Sequence, residues 1–177
     1  RGSVSISRSR IHVAVVYKGY GGAVTSVDDL ITSLDPDRYE VTFVYLTTSG
    51  PEPNHHEQAG FPVYHLSDTT RLNGFRPGIL WRLIRVLRKQ RIDLVHSHTH
   101  KATFYSALAK WVMPRVKLIV HVHGLKRTRS LRRRLSNYLL FNRVDRFLPV
   151  AHAVARDLVR SNWGVPSNKV AVLENSI

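Results

Sequence analysis

Residues 11–17 read Ile-His-Val-Ala-Val-Val-Tyr, and residues 18–22 continue directly with Lys-Gly-Tyr-Gly-Gly. The first stretch is apolar, rich in β-branched residues and free of Asp, Glu, Lys and Arg, which predicts a buried strand. Apolar residues at helical spacing follow the glycines and predict a helix: Val24, Val27, Leu30, Ile31 and Leu34. The chain therefore opens with a strand, a tight turn and a helix.

The same alternation continues to the end of the chain. Further strands are predicted at residues 41–46, 61–66, 92–96, 116–122 and 144–150, and a last one at 170–173. Helical patterns occupy residues 79–87, 102–111, 130–141 and 151–161, whereas residues 47–60 predict a loop. Strands that alternate with helices form right-handed βαβ units. We therefore expect an α/β fold with a Rossmann-like, doubly wound and mostly parallel sheet.

Composition limits the class of protein. The 177 residues suffice for one domain with its own core. The absence of Cys excludes disulfides and thiolate metal sites, and no run of about 18 to 20 uncharged apolar residues predicts a spanning helix. The basic start shows no signal-peptide pattern. The net charge of +15 predicts attraction to an anionic partner, which can be nucleic acid, a membrane surface or a phosphorylated ligand.

Ligands of such sheets bind beyond the carboxyl ends of the strands, so the residues that follow each strand are the candidates. Gly21 and Gly22 follow the first strand and open a helix, where backbone N–H groups can approach a phosphate. No third glycine completes the dinucleotide-binding fingerprint. The same glycines also suit a tight turn with positive φ, so both interpretations stay open.

Histidines follow the fourth and fifth predicted strands, in His96-Ser97-His98-Thr99-His100 and His121-Val122-His123-Gly124. Three histidines within five residues raise the question of zinc. No carboxylate neighbours them and their spacing is uncommon in catalytic zinc motifs, so we expect no metal. His123 can donate to a phosphate or a sugar hydroxyl, or can be an ordinary loop histidine. Because sites after three strands converge on one crevice, a ligand site is favoured, with His98 as a further candidate.

A strongly basic segment, Lys-Arg-Thr-Arg-Ser-Leu-Arg-Arg-Arg, spans residues 126–134 and runs into an apolar helical pattern. Such a basic amphipathic helix predicts contact with an anionic membrane surface. The alternative is a solvated charged face on an ordinary core helix. Nucleic acid is disfavoured, because no aromatic residue interrupts the basic run and no nucleic-acid-binding motif occurs. The candidate membrane contacts are Arg127, Arg129, Arg132, Arg133 and Arg134.

Several segments together resemble a known family. They are Gly21-Gly22, residues 37–41 (Asp-Arg-Tyr-Glu-Val), residues 92–98 with a terminal His-Ser-His, residues 120–125 with His123-Gly124, and residues 164–177. Their order resembles the N-terminal half of a retaining GT-B glycosyltransferase of family 4, from about Ile11 to Ile177. Two positions depart from the family pattern. Ala151-His152 stands where Ser is frequent, and Glu174-Asn175-Ser176 stands where the hinge usually reads Pro-Asn-Gly.

The resemblance implies an enzyme that transfers a sugar from a nucleotide-sugar donor with retention, without a metal or another cofactor. The domain would receive a sugar or lipid-linked acceptor, with His123 as the catalytic contact and Gly21, Gly22 and His98 near substrate or phosphate. The donor would bind mainly to a C-terminal domain that is absent here, so we expect the isolated chain to be inactive. We expect a cytoplasmic protein with peripheral contact to the inner face of the cytoplasmic membrane.

Two alternatives stay open beside this interpretation. Another nucleotide-binding α/β enzyme can have the same fold, since fold does not fix function. A basic nucleic-acid-binding module is the other, and its binding would depend steeply on salt. For the domain organisation, we expect residues 1–10 to be a disordered or cloning-derived start and residues 11–177 to be one Rossmann-like acceptor-side domain.

Overall fold

The computed structural model describes residues 10–20, 26–48, 53–123 and 131–174, except the side chains of residues 26, 27 and 131–133. Six parallel strands form one sheet in the order β3-β2-β1-β4-β5-β6. This order is the one expected for a doubly wound sheet, and it confirms the predicted Rossmann-like α/β fold. The strands are β1 (Ile11–Tyr17), β2 (Tyr39–Tyr45), β3 (Val63–His65), β4 (Leu94–His98), β5 (Lys117–Val122) and β6 (Arg146–Pro149).

Helices connect the strands. α3 shows why they form: it begins at a proline, whose fixed φ suits the first helical position, and its buried residues recur at helical spacing. Those buried residues are Ile79, Leu83, Ile84 and Leu87. The helices are α1 (Ser26–Thr32), α2 (His55–Gln58), α3 (Pro77–Lys89), α4 (His100–Val112), α5 (Leu131–Phe141) and α6 (His152–Ser161), with a 3-10 turn at Ser167–Lys169.

The sheet has a core on each face, because neighbouring residues of a strand point to opposite sides. In β1, Ala14 and Val16 belong to the larger core, which also contains buried residues of α3 and α4. Val13 and Val15 belong to the smaller core together with Ile31 of α1. Burial on both faces explains why the strand sequence is apolar without alternation. Leu30, which the sequence pattern placed in the apolar stripe of α1, is instead exposed.

Two boundaries differ from the sequence prediction in ways that affect function. β4 covers residues 94–98 rather than 92–96, because its pairing with β1 begins at Leu94 opposite Val13. His96 and His98 therefore lie within the strand. The strand predicted at residues 170–173 is reduced to one isolated bridge between Val170 and Phe147. The N–H groups of Ala171 and Leu173 still donate to carbonyls of Phe147 and Pro149, at 2.9 and 3.0 Å.

The predicted loop at residues 47–60 contains the short helix α2. Asn54 caps it, since its Oδ1 accepts from the N–H groups of His56 and Glu57 at 3.0 and 3.1 Å. The Glu57 carboxylate accepts from the Asn54 N–H at 2.7 Å, which completes a capping box. In the sequence, the spacing Asn-x-x-Glu is the signal from which this helix start could have been predicted. Within the described residues, the helices are too short or too polar to cross a membrane.

Two leucine substitutions test this division into buried and exposed positions. Leu83 is 0% exposed on α3, and Leu30 is 51% exposed on α1. Leu83→Ala should lower the free energy of unfolding by about 2 to 5 kcal/mol, because it leaves a cavity in the larger core. The matched variant Leu30→Ala should change it by about 0.5 kcal/mol or less. Urea denaturation of both variants measures the difference, and equal losses would contradict the placement of α3.

Candidate active site

Four histidines form a row at the carboxyl ends of β4 and β5, on one face of the sheet. Alternation places His96 and His98 on the same side of β4, and His98 lies opposite His121 in the strand register. The ring centroids are 4.5 Å apart for His96 and His98, 5.2 Å for His98 and His121, and 4.4 Å for His121 and His123. The two predicted histidines, His98 and His123, thus belong to one continuous group.

His98 and His123 contact each other directly. Nδ1 of His98 lies 3.2 Å from Nε2 of His123, within a hydrogen bond. Tyr17, the last residue of β1, stacks on the other side of His98 with 4.6 Å between ring centroids. The structure therefore brings together the last residues of β1 and β4 and the residue that follows β5, whereas Gly21 and Gly22 after strand one lie outside the described residues. The chemical roles of His98 and His123 stay predictions.

Burial keeps His96, His98 and His121 neutral at pH 7. Burial, together with the neighbouring histidines, lowers the pKa of His96 to about 4 and that of His121 to about 3. Burial also moves the pKa of His98 well below its usual range. A neutral imidazole has one N–H, and Nε2 of His98 is buried without a hydrogen-bond partner among the described residues. We therefore assign the His98 proton to Nδ1, from which it donates to Nε2 of His123.

Thr99 joins the row to α4 with a strained backbone. Its φ is 73° and its ψ is 156°, a conformation that a β-branched residue rarely adopts. Such a residue costs about 1 to 3 kcal/mol and is found preferentially at ligand sites and switches. The Thr99 carbonyl accepts from the N–H and the hydroxyl of Thr103, at 3.1 and 2.9 Å, which holds the turn. No sequence pattern pointed to Thr99.

A cavity of about 70 Å³ lies beside the row. Asn137 of α5 donates from Nδ2 to Oδ1 of Asn162 at 2.8 Å, while its own Oδ1 is buried without a partner among the described residues. A small, mostly apolar cavity with a few fixed polar groups is suited to a hydroxyl-bearing group. The sequence did not predict these residues, which lie on or directly beside three separate helices, α4, α5 and α6. The polar lining includes Thr99, Thr103, Asn137, Asp157 and Asn162.

Several predicted site residues cannot be placed. Gly21 and Gly22, and likewise Arg127 and Arg129, lie outside the residues that the structure describes. The side chains of residues 132 and 133, both Arg, are also outside the description, whereas Arg134 is partly buried on α5. The phosphate-binding role of the glycines and the membrane role of the arginines therefore stay predictions.

The outer side of α5 is apolar. Leu135, Tyr138 and Leu139 are 55%, 50% and 55% exposed, whereas Asn137 and Leu140 of the same helix are buried. The apolar stripe seen in the sequence therefore faces outward at these three positions, which disagrees with the alternative of an ordinary core stripe. We call Leu135, Tyr138 and Leu139 the α5 apolar face.

A second polar cluster lies at the carboxyl ends of β1 and β2, and the sequence analysis missed it. Asp28, His55 and His56 each offer one ligand atom, and these atoms all lie within 4.8 Å of one another. Burial lowers the pKa of His56 to about 4, so this ring is neutral at pH 7. The expectation of no metal was drawn from the histidines at residues 96–100 and 121–123, and it did not consider His55 and His56. Folding brings Asp28 to the histidines from a distant segment.

Comparison with solved structures places the fold. HepE of Anabaena, determined in complex with UDP and glucose, shares 18% identity with a TM-score of 0.70, covering 95% of this chain and 45% of HepE. MurG of Acinetobacter baumannii shares 16% identity with a TM-score of 0.65, covering 94% of this chain and 46% of MurG. A UDP-GlcNAc 2-epimerase of Methanocaldococcus jannaschii shares 16% identity with a TM-score of 0.66, and the match covers 93% of this chain and 46% of the epimerase. The chain thus spans a little under half the length of these proteins.

Solved structures that share only 16 to 18% identity show the fold alone, so the family has to come from comparison of sequences. No curated protein sequence matches the chain significantly. The model of glycosyltransferase family 4, however, matches residues 20–177, which is most of the chain. That match contains the histidine row, the cavity and α5. The chain therefore belongs to glycosyltransferase family 4, and its sheet is the N-terminal, Rossmann-like half of a GT-B fold.

Proposed function

We propose that this chain is the acceptor-binding domain of a retaining glycosyltransferase that takes its sugar from a nucleotide-sugar donor and needs no metal for the transfer. The observation that carries the proposal is the hydrogen-bonded pair of His98 and His123, 3.2 Å apart at the carboxyl ends of β4 and β5 in a family 4 chain. The UDP and glucose bound by HepE support a nucleotide-sugar donor.

The His98–His123 pair suits a reaction in which negative charge develops on a leaving phosphate. In the assigned tautomer Nε2 of His123 accepts from His98, which leaves Nδ1 of His123 as the ring nitrogen that can donate. A donor fixed in advance near the departing oxygen lowers the barrier without reorganisation. In this proposal the N–H groups of Gly21 and Gly22 approach the phosphates, and His98 sets the orientation of His123.

The proposed transfer needs a second wall to the cleft. The chain covers only 44 to 46% of the length of the similar solved structures. We therefore propose that the donor nucleotide binds mainly to a second domain. Holding donor and acceptor together in a crevice that excludes water supplies much of the rate. The 177-residue chain alone is therefore expected to bind acceptor weakly and to perform no multiple turnovers.

Replacing His123 tests its proposed role. His123→Ala in the full-length enzyme should lower kcat by about 100-fold, as the loss of one transition-state donor does. The free energy of unfolding should fall by only about 1 kcal/mol, since the side chain is partly exposed at a strand end. Initial rates with the cognate donor and acceptor, beside chemical denaturation, measure both effects.

His12→Ala is the matched control, because His12 lies at the opposite, amino end of β1, with Nδ1 2.9 Å from the Gln90 carbonyl oxygen. It should leave kcat unchanged. Near-normal kinetics in His123→Ala would show that His123 has only a structural role.

We also propose that α5 holds the enzyme on an anionic membrane, which suits a lipid-linked acceptor. The support is the α5 apolar face together with the basic run of residues 126–134, which lies next to it in the sequence. An apolar face bordered by cations enters the boundary between lipid headgroups and acyl chains. Each cation near an anionic surface contributes about 1 kcal/mol, and salt screens this attraction over about 10 Å.

Vesicle sedimentation tests the membrane proposal. Binding to vesicles that contain phosphatidylglycerol should exceed binding to neutral phosphatidylcholine vesicles and should weaken as salt is raised. The double variant Leu135→Ser and Leu139→Ser should bind at least about tenfold more weakly, because less apolar surface leaves water.

Val112→Ser on α4 is the matched control, since Val112 is also exposed but lies on another helix. It should bind like the unaltered protein. Equal sedimentation with neutral and anionic vesicles, or equal binding by all variants, would contradict a role for α5.

The epimerase likeness supports one alternative function on the same fold. A UDP-GlcNAc 2-epimerase has a similar structure, whereas the family match favours a transferase. Incubation of the full-length protein with UDP-sugars distinguishes the two. Release of UDP that requires an added acceptor supports transfer, and an epimerised sugar formed without acceptor supports the alternative.

A further inference from the structure

Asp28, His55 and His56 form a compact cluster on the other side of Tyr17 from His98. Asp28 lies on α1, which follows β1, and the two histidines open α2, which follows β2. One atom from each of the three side chains lies within 4.8 Å of the others, and Nε2 of His56 is 3.8 Å from Oδ1 of Asp28. Asp28 and His56 are almost completely buried. The fold therefore concentrates two imidazoles and a carboxylate where little water reaches them.

Three tyrosines orient this cluster from outside. The hydroxyl of Tyr45 lies 2.6 Å from Nδ1 of His56, and that of Tyr20 lies 2.7 Å from Nδ1 of His55. The hydroxyl of Tyr17 donates to Oδ1 of Asp28. Histidines that bind metals characteristically use one ring nitrogen as the ligand and hydrogen-bond through the other. Both imidazoles of the cluster are held in this manner.

The remaining nitrogens of the two rings point to an incomplete site. Nε2 of His55 and Nε2 of His56 are buried and have no hydrogen-bond partner among the described residues. Leaving a buried polar atom unsatisfied costs about 1 to 3 kcal/mol, so two such atoms beside a carboxylate need an explanation. A cation bound to both nitrogens and to the Asp28 carboxylate satisfies both nitrogens at once.

We propose that Asp28, His55 and His56 bind a divalent transition-metal ion, zinc in the first place. Two imidazole nitrogens and one carboxylate oxygen suit zinc and its neighbours, whereas Mg²⁺ and Ca²⁺ prefer oxygen ligands alone. Tetrahedral zinc ligands lie about 2 Å from the ion and so about 3.5 Å apart, which requires these atoms to approach by about 1 Å. Three protein ligands leave a fourth position for water.

The proposed ion has a structural role and takes no part in the proposed sugar transfer. It would tie α1 to α2 across the carboxyl ends of β1 and β2. Ions that bind only the folded state stabilise it by mass action. The site therefore predicts metal-dependent stability, which a test of transferase activity would not measure.

Zinc titration of the full-length protein tests the site. After treatment with a chelator and dialysis, the protein should bind one Zn²⁺ tightly by isothermal titration calorimetry, and Zn²⁺ should raise its Tm. Co²⁺ should produce the visible absorption bands of a four-coordinate site. Asp28→Asn and His55→Gln should each weaken Zn²⁺ binding at least about tenfold. Tyr45→Phe, which only removes the hydroxyl beside His56, should weaken it about 10- to 100-fold.

Two control variants exclude other histidines as the source of binding. His12→Gln removes a histidine from the amino end of β1 and should leave Zn²⁺ binding unchanged. His98→Gln alters the histidine row and should also leave it unchanged. The Tm of each metal-free variant establishes that it is folded. The proposal is overturned if the unaltered protein binds no Zn²⁺, if Asp28→Asn and His55→Gln bind it normally, or if His98→Gln abolishes binding.

Discussion

The parallel pairing of β1 with β2 on one side and with β4 on the other is the constraint on which the rest of the structure depends. Parallel strands all end at the same edge of the sheet, so every connection that follows a strand begins there. Tyr17, Tyr45 and His98 end three neighbouring strands, and their side chains meet although they are far apart in sequence. Both candidate sites lie at this edge.

Burial at this edge decides what its polar groups can do. A charged imidazole would lose its hydration inside the sheet, so His96, His98 and His121 are neutral at pH 7. A neutral ring has a single N–H, so in the assigned tautomer the His98 proton is shared with His123. The strained Thr99 directly after β4 allows α4 to start within one residue of that strand's end.

Tyr17 links the two clusters. It stacks on His98 on one side and donates its hydroxyl to Asp28 on the other. The proposed acceptor site and the proposed metal site therefore share one rigid aromatic side chain at the end of the central strand. The order of the strands, which places β1 between β2 and β4, makes this connection possible.

The parallel α/β fold could be predicted from local patterns, because apolar strands separated by helical patterns leave few other arrangements. The same patterns located His98 and His123, since they identify the residues that end strands. Only the tertiary structure brought Asp28 to His55 and His56, because no local pattern encodes contact between distant segments. The outward direction of Leu135, Tyr138 and Leu139 was likewise decided by packing. Helical periodicity shows that these residues share a side of α5, but the neighbouring elements select which side meets the sheet.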